Sequence, residues 1–257
     1  MNPIVSVVIP LFNQGQFLVE TFDSVIKSTF KEIEIIIVDD GSKDDSAKIA
    51  LDLEAKFPRQ VSVIIQENSG PAKARNEGIK KAIGKYILPL DADDLISPTY
   101  IENAVKILES NPKVKVVYSE AEKFGDKNGK WILKHYSPFA ISLDNMIFVS
   151  AFYRKSDWEK VGGYDERMTW GWEDWEFWIN LLKSGGEVVK LPEIGFYYRI
   201  RKNSRRKSTN KDSKHKTIDL INSKHSDFLK TQINGPLRYK RSLSPLINSI
   251  DGFFRKS

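Results

Sequence analysis

The apolar positions of this chain alternate between two rhythms over its first ninety residues. Val5-Ser6-Val7-Val8-Ile9-Pro10, Ile33 to Val38, Val61 to Ile65 and Tyr86 to Leu90 are short, nearly continuous apolar runs. Such runs predict strands buried on both faces, as in a parallel sheet. Between them the apolar residues recur at helical spacing. Gln16 to Ser28 carries Phe17, Val19, Phe22, Val25 and Ile26, and Ser42 to Phe57 and Pro71 to Ile83 follow. Ser42 is the predicted N-cap of the second helix, with Asp45 as its capping partner. Ser97-Pro98 is the predicted start of a helix through Tyr100 to Leu108 that ends near Ser110. This β-α-β-α-β-α-β order predicts right-handed crossovers and an open sheet.

Beyond Ser110 the pattern is less regular. Val114 to Tyr118 predicts a strand. Glu122 to Lys134 predicts a hairpin turning at Asp126-Lys127-Asn128-Gly129. Phe148 to Arg154 reads as a strand, Ser156 to Lys160 as a short helix, and Gly162-Gly163 as a break. Glu173 to Ser184 is a predicted helix stopped by Gly185-Gly186. Two short strands, Glu187 to Leu191 and Gly195 to Arg199, are expected next. Lys202 to Lys214 is polar, basic and expected to be mobile, and Ile218 to Leu229 is helical. The fold class expected is α/β: a mixed, mostly parallel central sheet flanked by helices, with a basic, mainly helical C-terminal extension.

The 257 residues are enough to bury a full core, and 40% hydrophobic with 29% charged residues is ordinary for a globular protein. The chain has no cysteine, which excludes disulfides and zinc-thiolate sites. Met1 to Val5 lacks the basic and apolar regions of a signal peptide, and no run approaches the ~20 apolar residues of a membrane span. The expected location is therefore cytoplasmic. The net charge of +6 is uneven: from Arg199 onward 16 Lys/Arg oppose 4 Asp/Glu, or +12, which leaves −6 before it. Such a tail suits anionic lipid, a phosphorylated ligand, nucleic acid, or simply solvent. The apolar segment Pro245 to Phe254, flanked by basic residues, either lies on an anionic membrane surface or packs on the body of the protein.

Three predicted strand ends carry polar groups: Pro10-Leu11-Phe12-Asn13, Asp39-Asp40-Gly41 and Asp91-Ala92-Asp93-Asp94. In a parallel sheet these ends share one edge, where α/β folds bind ligands. Side chains alternate along a strand, so only one of Asp39 and Asp40 is expected to face a shared ligand. Carboxylates as close as Asp91, Asp93 and Asp94 repel one another unless a cation or a ligand lies among them. Trp170-Gly171-Trp172-Glu173-Asp174-Trp175-Glu176-Phe177-Trp178 holds four of the six tryptophans. Trp175 and Trp178 fit core positions, whereas Trp170 and Trp172 precede the helix and are candidates for a flat face against a sugar or lipid-linked acceptor. Glu173 and Asp174 are either helix-capping carboxylates or chemical ones.

Val5 to Asn13, Ile35 to Asp45, Ser69-Gly70-Pro71-Ala72-Lys73-Ala74-Arg75-Asn76-Glu77-Gly78 and Tyr86 to Asp94, in this order and spacing, resemble family 2 glycosyltransferases of the GT-A fold. The likeness resumes at Val161 to Glu166 and at Trp172-Glu173-Asp174. It implies a Rossmann-like nucleotide-sugar-binding half over residues 1–110, an acceptor and catalytic-base half over 111–200, and an extension over 201–257. The resemblance implies a nucleotide-diphosphate sugar, expected to be a UDP-sugar, across the strand ends. Asp39 would contact the base, and Pro10, Phe12 and Asn13 would shape the base and ribose pocket. Asp91-Ala92-Asp93 stands at the family's Asp-x-Asp motif, with Asp93 on Mn²⁺ or Mg²⁺ and Asp91 toward the ribose or sugar. Arg75 either contacts the donor or forms a structural ion pair. Asp174 would be the catalytic base, supported by Glu173, in a single inverting displacement. Arg199, Arg201 and Arg205 are candidates for a diphosphate or acceptor pyrophosphate. The expected acceptor is a glycan or a lipid-pyrophosphate-linked saccharide, with peripheral contact on the inner membrane face through the C-terminal segment.

Two rival readings remain at this level. A sugar nucleotidyltransferase would share the nucleotide-binding sheet, but Pro10-Leu11-Phe12-Asn13-Gln14-Gly15 lacks a Gly-rich, basic phosphate loop. A nucleic-acid-binding protein would use the basic tail, but the acidic body speaks against a nucleic-acid partner.

Overall fold

The computed structural model describes residues 3–202 and 210–254. The first half runs β1 (Val5–Leu11), α1 (Gly15–Ile26), β2 (Ile33–Asp39), α2 (Ser46–Lys56), β3 (Val61–Ile65), α3 (Pro71–Lys81) and β4 (Tyr86–Pro89). A two-residue strand β5 (Leu95–Ile96), α4 (Tyr100–Ser110), a long β6 (Val114–Gly125) and β7 (Gly129–Trp131) follow. Then come α5 (Pro138–Leu143), β8 (Phe152–Arg154), α6 (Lys155–Val161), α7 (Glu173–Leu182) and β9 (Glu187–Ile200). The extension holds α8 (Lys211–Lys224), α9 (Ser226–Ile233), a short 3-10 turn (Arg241–Leu243) and α10 (Ser244–Phe254).

One nine-stranded sheet runs in the order β3-β2-β1-β4-β8-β6-β9-β5, with β7 beside β6. The pairs β1–β2, β1–β4, β2–β3 and β6–β9 are parallel, and the β8 and β5 pairings are antiparallel. The sheet is thus mixed and mostly parallel. Val5, Val7, Val8, Ile9 and Ile35 to Val38 are buried, as expected for strands covered on both faces. At Gly78 helix α3 lies directly on β1, where a Cβ would stand 2.4 Å from Val8 Cγ1.

Several elements depart from the sequence pattern. Ser42 does not cap α2, which begins at Ser46 behind Asp45. The Ser42 hydroxyl instead accepts the backbone N–H of Asn13 at 3.0 Å, tying two strand-end loops together. Asp45 makes no side-chain capping bond. Helix α4 begins at Tyr100, two residues after Pro98, because the Ser97 N–H is still spent on the Gly195 carbonyl in the sheet. The two strands expected over Glu187 to Arg199 are one, β9. Pro192 has no N–H to give, and the register jumps there from Ser119↔Leu191 to Glu120↔Ile194, a bulge that lets the ladder continue. Only Phe152–Arg154 of the expected strand from Phe148 is extended in the sheet. Lys211 to Lys214, expected in a mobile stretch, are the first turn of α8, capped by Asn210. The helix expected over Ile218 to Leu229 breaks at His225, whose buried ring meets Glu176 of α7 at 2.7 Å.

Candidate active site

The carboxyl ends of β1, β2 and β4 share one edge of the sheet, with Leu11 opposite Asp39 and Val8 opposite Pro89. Pro10 lies on β1, half-buried beside Val38. Phe12, just past the strand, is 44% exposed. Asn13 has a left-handed backbone (φ 51°) and accepts the Lys43 N–H at 2.7 Å. The strand alternation separates the two aspartates at the end of β2, Asp39 within it and Asp40 just past it. Asp40 braces the start of α3, accepting Ser69 N–H at 2.8 Å, Gly70 N–H at 2.8 Å and Gln66 Nε2 at 2.7 Å. Asp39 is buried and accepts only the Ser42 N–H, at 3.2 Å. Its Oδ1 has no hydrogen-bond partner among the described residues. A buried, unsatisfied carboxylate oxygen at a strand end is costly unless a ligand completes it.

The acidic run turns directly after β4 and leads into β5. That short strand pairs with β9, Leu95 opposite Tyr197, and so brings the basic end of β9 onto the carboxylates. Asp91 is half-exposed and bonded to Arg75 at 2.6 Å. Ala92 is buried, with its carbonyl accepting the Thr21 hydroxyl at 2.9 Å. Asp93 meets Arg201 at 2.7 Å. Asp94, fully buried, accepts the Arg199 N–H at 2.8 Å. Burial, and then the charge of Asp91, push the Asp93 carboxyl up to about 6, against the pull of Arg201. Asp94 is raised well above the carboxylate range by burial and by Asp93 and Asp91. Arg199 is a structural anchor. Its Nε donates to the Asp93 carbonyl at 2.7 Å and its guanidinium meets Glu20 at 2.5 Å, between the rings of Phe17 and Phe124. Arg205 lies outside the described residues.

Arg75, on α3, joins the two halves of the site. One nitrogen reaches Asp91 at 2.6 Å and another reaches Glu173 of α7 at 2.8 Å. Burial works against its charge, but Asp91 and Glu173 outweigh it and hold the guanidinium firmly protonated. Arg75 therefore makes the ion pair, and Glu173, buried, is its partner.

Helix α7 starts behind Trp172, a bulky residue in the left-handed region (φ 59°). That conformation costs roughly 1–2 kcal/mol, and it sets Glu173 and Asp174 in the first turn. Asp174 is half-buried; its Oδ2 accepts Asn145 Nδ2 at 2.8 Å and its Oδ1 the Trp175 N–H at 2.9 Å. Burial first, then the Glu173 charge, push its carboxyl up to about 7. A carboxyl near neutrality can take a proton from a hydroxyl. Trp175 and Trp178 are core residues, donating to the Ile141 and Ile147 carbonyls. Trp172 is partly buried against the core. Trp170 is tied to α8 through Nε1 and the Thr217 hydroxyl at 2.9 Å.

Mn²⁺ or Mg²⁺ fits the acidic run by its donor chemistry. Hard cations take carboxylate oxygens, and at phosphate-binding sites one or two carboxylates plus the phosphates suffice. Among the described residues no three His, Cys, Asp or Glu side chains form an all-protein cage. Asp93, raised by burial and by Asp91, is the carboxylate a cation would relieve.

Sequence reasoning missed several residues here. Asn145 lies in an irregular loop with no local pattern to mark it. Tyr164 lies under Arg75, 5.8 Å from its guanidinium, and Asn76 fastens the Tyr164–Glu166 turn through three hydrogen bonds. Asn76 stood within the Ser69–Gly78 motif, so position was its only available signal.

The site thus sets an aspartate run and a second carboxylate pair, joined through Arg75, on a mixed, mostly parallel α/β sheet. Residues 6–175 match the model of glycosyl transferase family 2, and residues 148–203 match a model described as the N-terminal domain of galactosyltransferase. The chain belongs to glycosyl transferase family 2. It is 41% identical over 135 residues to an uncharacterized glycosyltransferase of Rickettsia felis, covering 52% of this chain and 22% of that protein. The chain thus spans about a fifth of the length of that curated relative. The structure of S. aureus TarS in complex with UDP-GlcNAc superposes with a TM-score of 0.72 at 19% identity, covering 91% of this chain and 71% of that one. Mannosyltransferase PcManGT from Pyrobaculum calidifontis, in complex with GDP-Man and Mn²⁺, gives 0.67 at 19% identity, covering 90% and 68%. These likenesses establish the GT-A fold.

Proposed function

We propose that this chain transfers a sugar from a nucleotide-diphosphate sugar, with UDP as the carrier, to a hydroxyl of a glycan or lipid-pyrophosphate-linked saccharide, with inversion. Residues 1–110 hold the donor, residues 111–200 supply the base and acceptor surface, and 201–257 form the extension. The observation that carries the reading is Arg75, which ties Asp91 at the donor edge to Glu173 beside Asp174. Family membership and neighbours bound to UDP-GlcNAc and to GDP-Man support a nucleotide-sugar donor.

In this mechanism the unsatisfied Asp39 Oδ1 accepts an N–H of the base, while Pro10, Phe12 and Asn13 line the base and ribose. Asp91 faces the ribose or sugar. Asp93 would hold Mn²⁺ or Mg²⁺, which supplies neutralisation of the charge developing on the nucleotide diphosphate. Arg201 and Arg205 contribute guanidinium contacts to the diphosphate, and Arg199 fixes the floor beneath them. Asp174, oriented by Asn145, accepts the proton of the acceptor hydroxyl as its oxygen attacks the anomeric carbon. Arg75 keeps the Glu173 charge neutralised, so that Asp174 is the carboxylate available to the proton. Trp170 and Trp172 offer the acceptor an apolar edge.

The proposal includes a membrane partner. Leu246 and Ile250 share one exposed face of α10, while Ser244 and Asn248 are buried against the end of α9 and the loop that follows it. An anionic lipid surface complements this stripe and the +12 tail, which supports a peripheral position on the inner face of a membrane as part of the proposal. No helix among the described residues is long and apolar enough to cross one.

The test is a screen of nucleotide sugars with Mn²⁺, reading donor hydrolysis and thermal shift. Binding and slow hydrolysis of one UDP-sugar, lost in Asp93→Ala, is the expected result. No donor bound, or normal turnover by Asp93→Ala, overturns the reading.

A further inference from the structure

The carboxylate that the proposed donor site needs open is already engaged. Arg201 lies 2.7 Å from Asp93 Oδ2. Its neighbours on the acidic run are satisfied by other groups, Asp91 by Arg75 and Asp94 by the Arg199 backbone. Burial and mutual repulsion press Asp93 and Asp94 toward the neutral form, and at Asp93 the Arg201 charge opposes that.

Arg199 is in β9 and Arg201 is the first residue past it, and both guanidiniums lie over Phe17, at 4.7 and 5.1 Å. They are held very differently. Arg199 is fixed by the Asp93 carbonyl, by Glu20 and by a second ring, Phe124. Among the described residues Arg201 has the Asp93 carboxylate and one ring face, and its buried Nε has no hydrogen-bond partner. One arginine is an anchor. The other is a charge parked on an oxygen that a metal would also claim.

We propose that Arg201 is a resident counter-cation of the acidic run, which a divalent metal must displace from Asp93 and which then turns to the donor diphosphate. The proposal rests on the reading of Asp93 as the metal's protein ligand. Its consequence is coupling. Alone, the metal must expel a guanidinium that has nowhere equally good to go, so it binds weakly. With a nucleoside diphosphate present, the expelled Arg201 gains a phosphate partner, with Nε among its available donors. Metal and nucleotide therefore strengthen each other's binding by the same factor.

Mn²⁺ binding to the full chain, followed by the electron paramagnetic resonance of free Mn²⁺ with and without UDP, tests this directly. Without UDP, Arg201→Gln is expected to bind Mn²⁺ about tenfold tighter than the unaltered chain, and the gain produced by UDP is expected to shrink. Arg201→Lys keeps the cation and is expected to stay near the unaltered chain. Thermal melting in EDTA confirms that each variant is folded. If Arg201→Gln is not, Arg201→Met, which keeps the aliphatic stem over Phe17, carries the same expectation. Unchanged or weaker Mn²⁺ binding by the neutral variant without UDP overturns the proposal. Asp93→Asn separates the two levels: Mn²⁺ binding that survives this substitution refutes Asp93 as the ligand.

Discussion

Arg75 and Glu173, 98 residues apart in the chain, meet at 2.8 Å with both side chains buried. The same guanidinium holds Asp91 at 2.6 Å. A single charge thus fastens the acidic run after β4 to the first turn of α7, and the two carboxylate groups of the site keep a fixed relation.

Removing that charge breaks the ion pair of buried Glu173 with Arg75. Arg75→Ala is expected to destabilise the fold by about 3–5 kcal/mol, measured by urea denaturation. Arg75→Lys restores the charge but not the fork, because an ammonium cannot present two parallel donors to two separated carboxylates. It is expected to recover only part of the loss.

The proposed base, Asp174, predicts the pH dependence of transfer. A base must be ionised, so kcat is expected to rise with pH through about 7 and then level off. Asp174→Asn is expected to lower kcat by roughly 10²–10⁴-fold. Asn145 donates to the ionised form and holds the carboxyl down, so Asn145→Ala is expected to move the acid limb upward. Stability has the opposite sign. The folded carboxyl is raised, so its contribution is complete below the ordinary aspartate range and is lost as pH rises through about 7. Asp174→Asn should therefore gain stability relative to the unaltered chain over that interval, seen in thermal melts at stepped pH.

Asp39 tests base recognition. Its free Oδ1 is the acceptor the nucleotide base would fill. Asp39→Ala is expected to weaken UDP binding by about 1–3 kcal/mol in calorimetric titration, with acceptor KM unchanged. Equal UDP affinity would remove Asp39 from the donor site.

The stripe on α10 predicts lipid-dependent recovery. Flotation with vesicles containing anionic lipid is expected to carry the chain upward, and Leu246→Glu with Ile250→Glu is expected to leave it in the lower fraction. Both side chains are exposed, so the melting temperature should hardly change. Equal flotation of the double variant would exclude this face.

Much of the donor side was legible from the residues themselves. A buried strand on a parallel sheet imprints an unbroken apolar run, and a polar residue at its end stands out against it. Asp39, Asp40 and Asp91 to Asp94 were visible for that reason; strand alternation set Asp39 and Asp40 on opposite sides, and only the family resemblance chose between them. Trp175 and Trp178 were legible as core by their spacing on α7. Ser42 and Ser97 misled because a serine before an apolar run looks like a cap whether its groups are spent on the helix or on a distant loop.

What the sequence by itself determined is therefore the local set: which segments are strands or helices, and where carboxylates crowd a strand end. The tertiary structure alone decided the partners. The residues left Arg75 open as a donor contact or an ion pair, and the ion pair to Glu173 exists only through the docking of α7. The pairing of Arg201 with Asp93 exists because β5, two residues long, draws the end of β9 across the acidic run. Asn145 reaches Asp174, and His225 breaks its helix to reach Glu176, across gaps of 29 and 49 residues. Periodicity records how each residue is buried within its own element. It holds no information about which charge, far along the chain, will be folded against it.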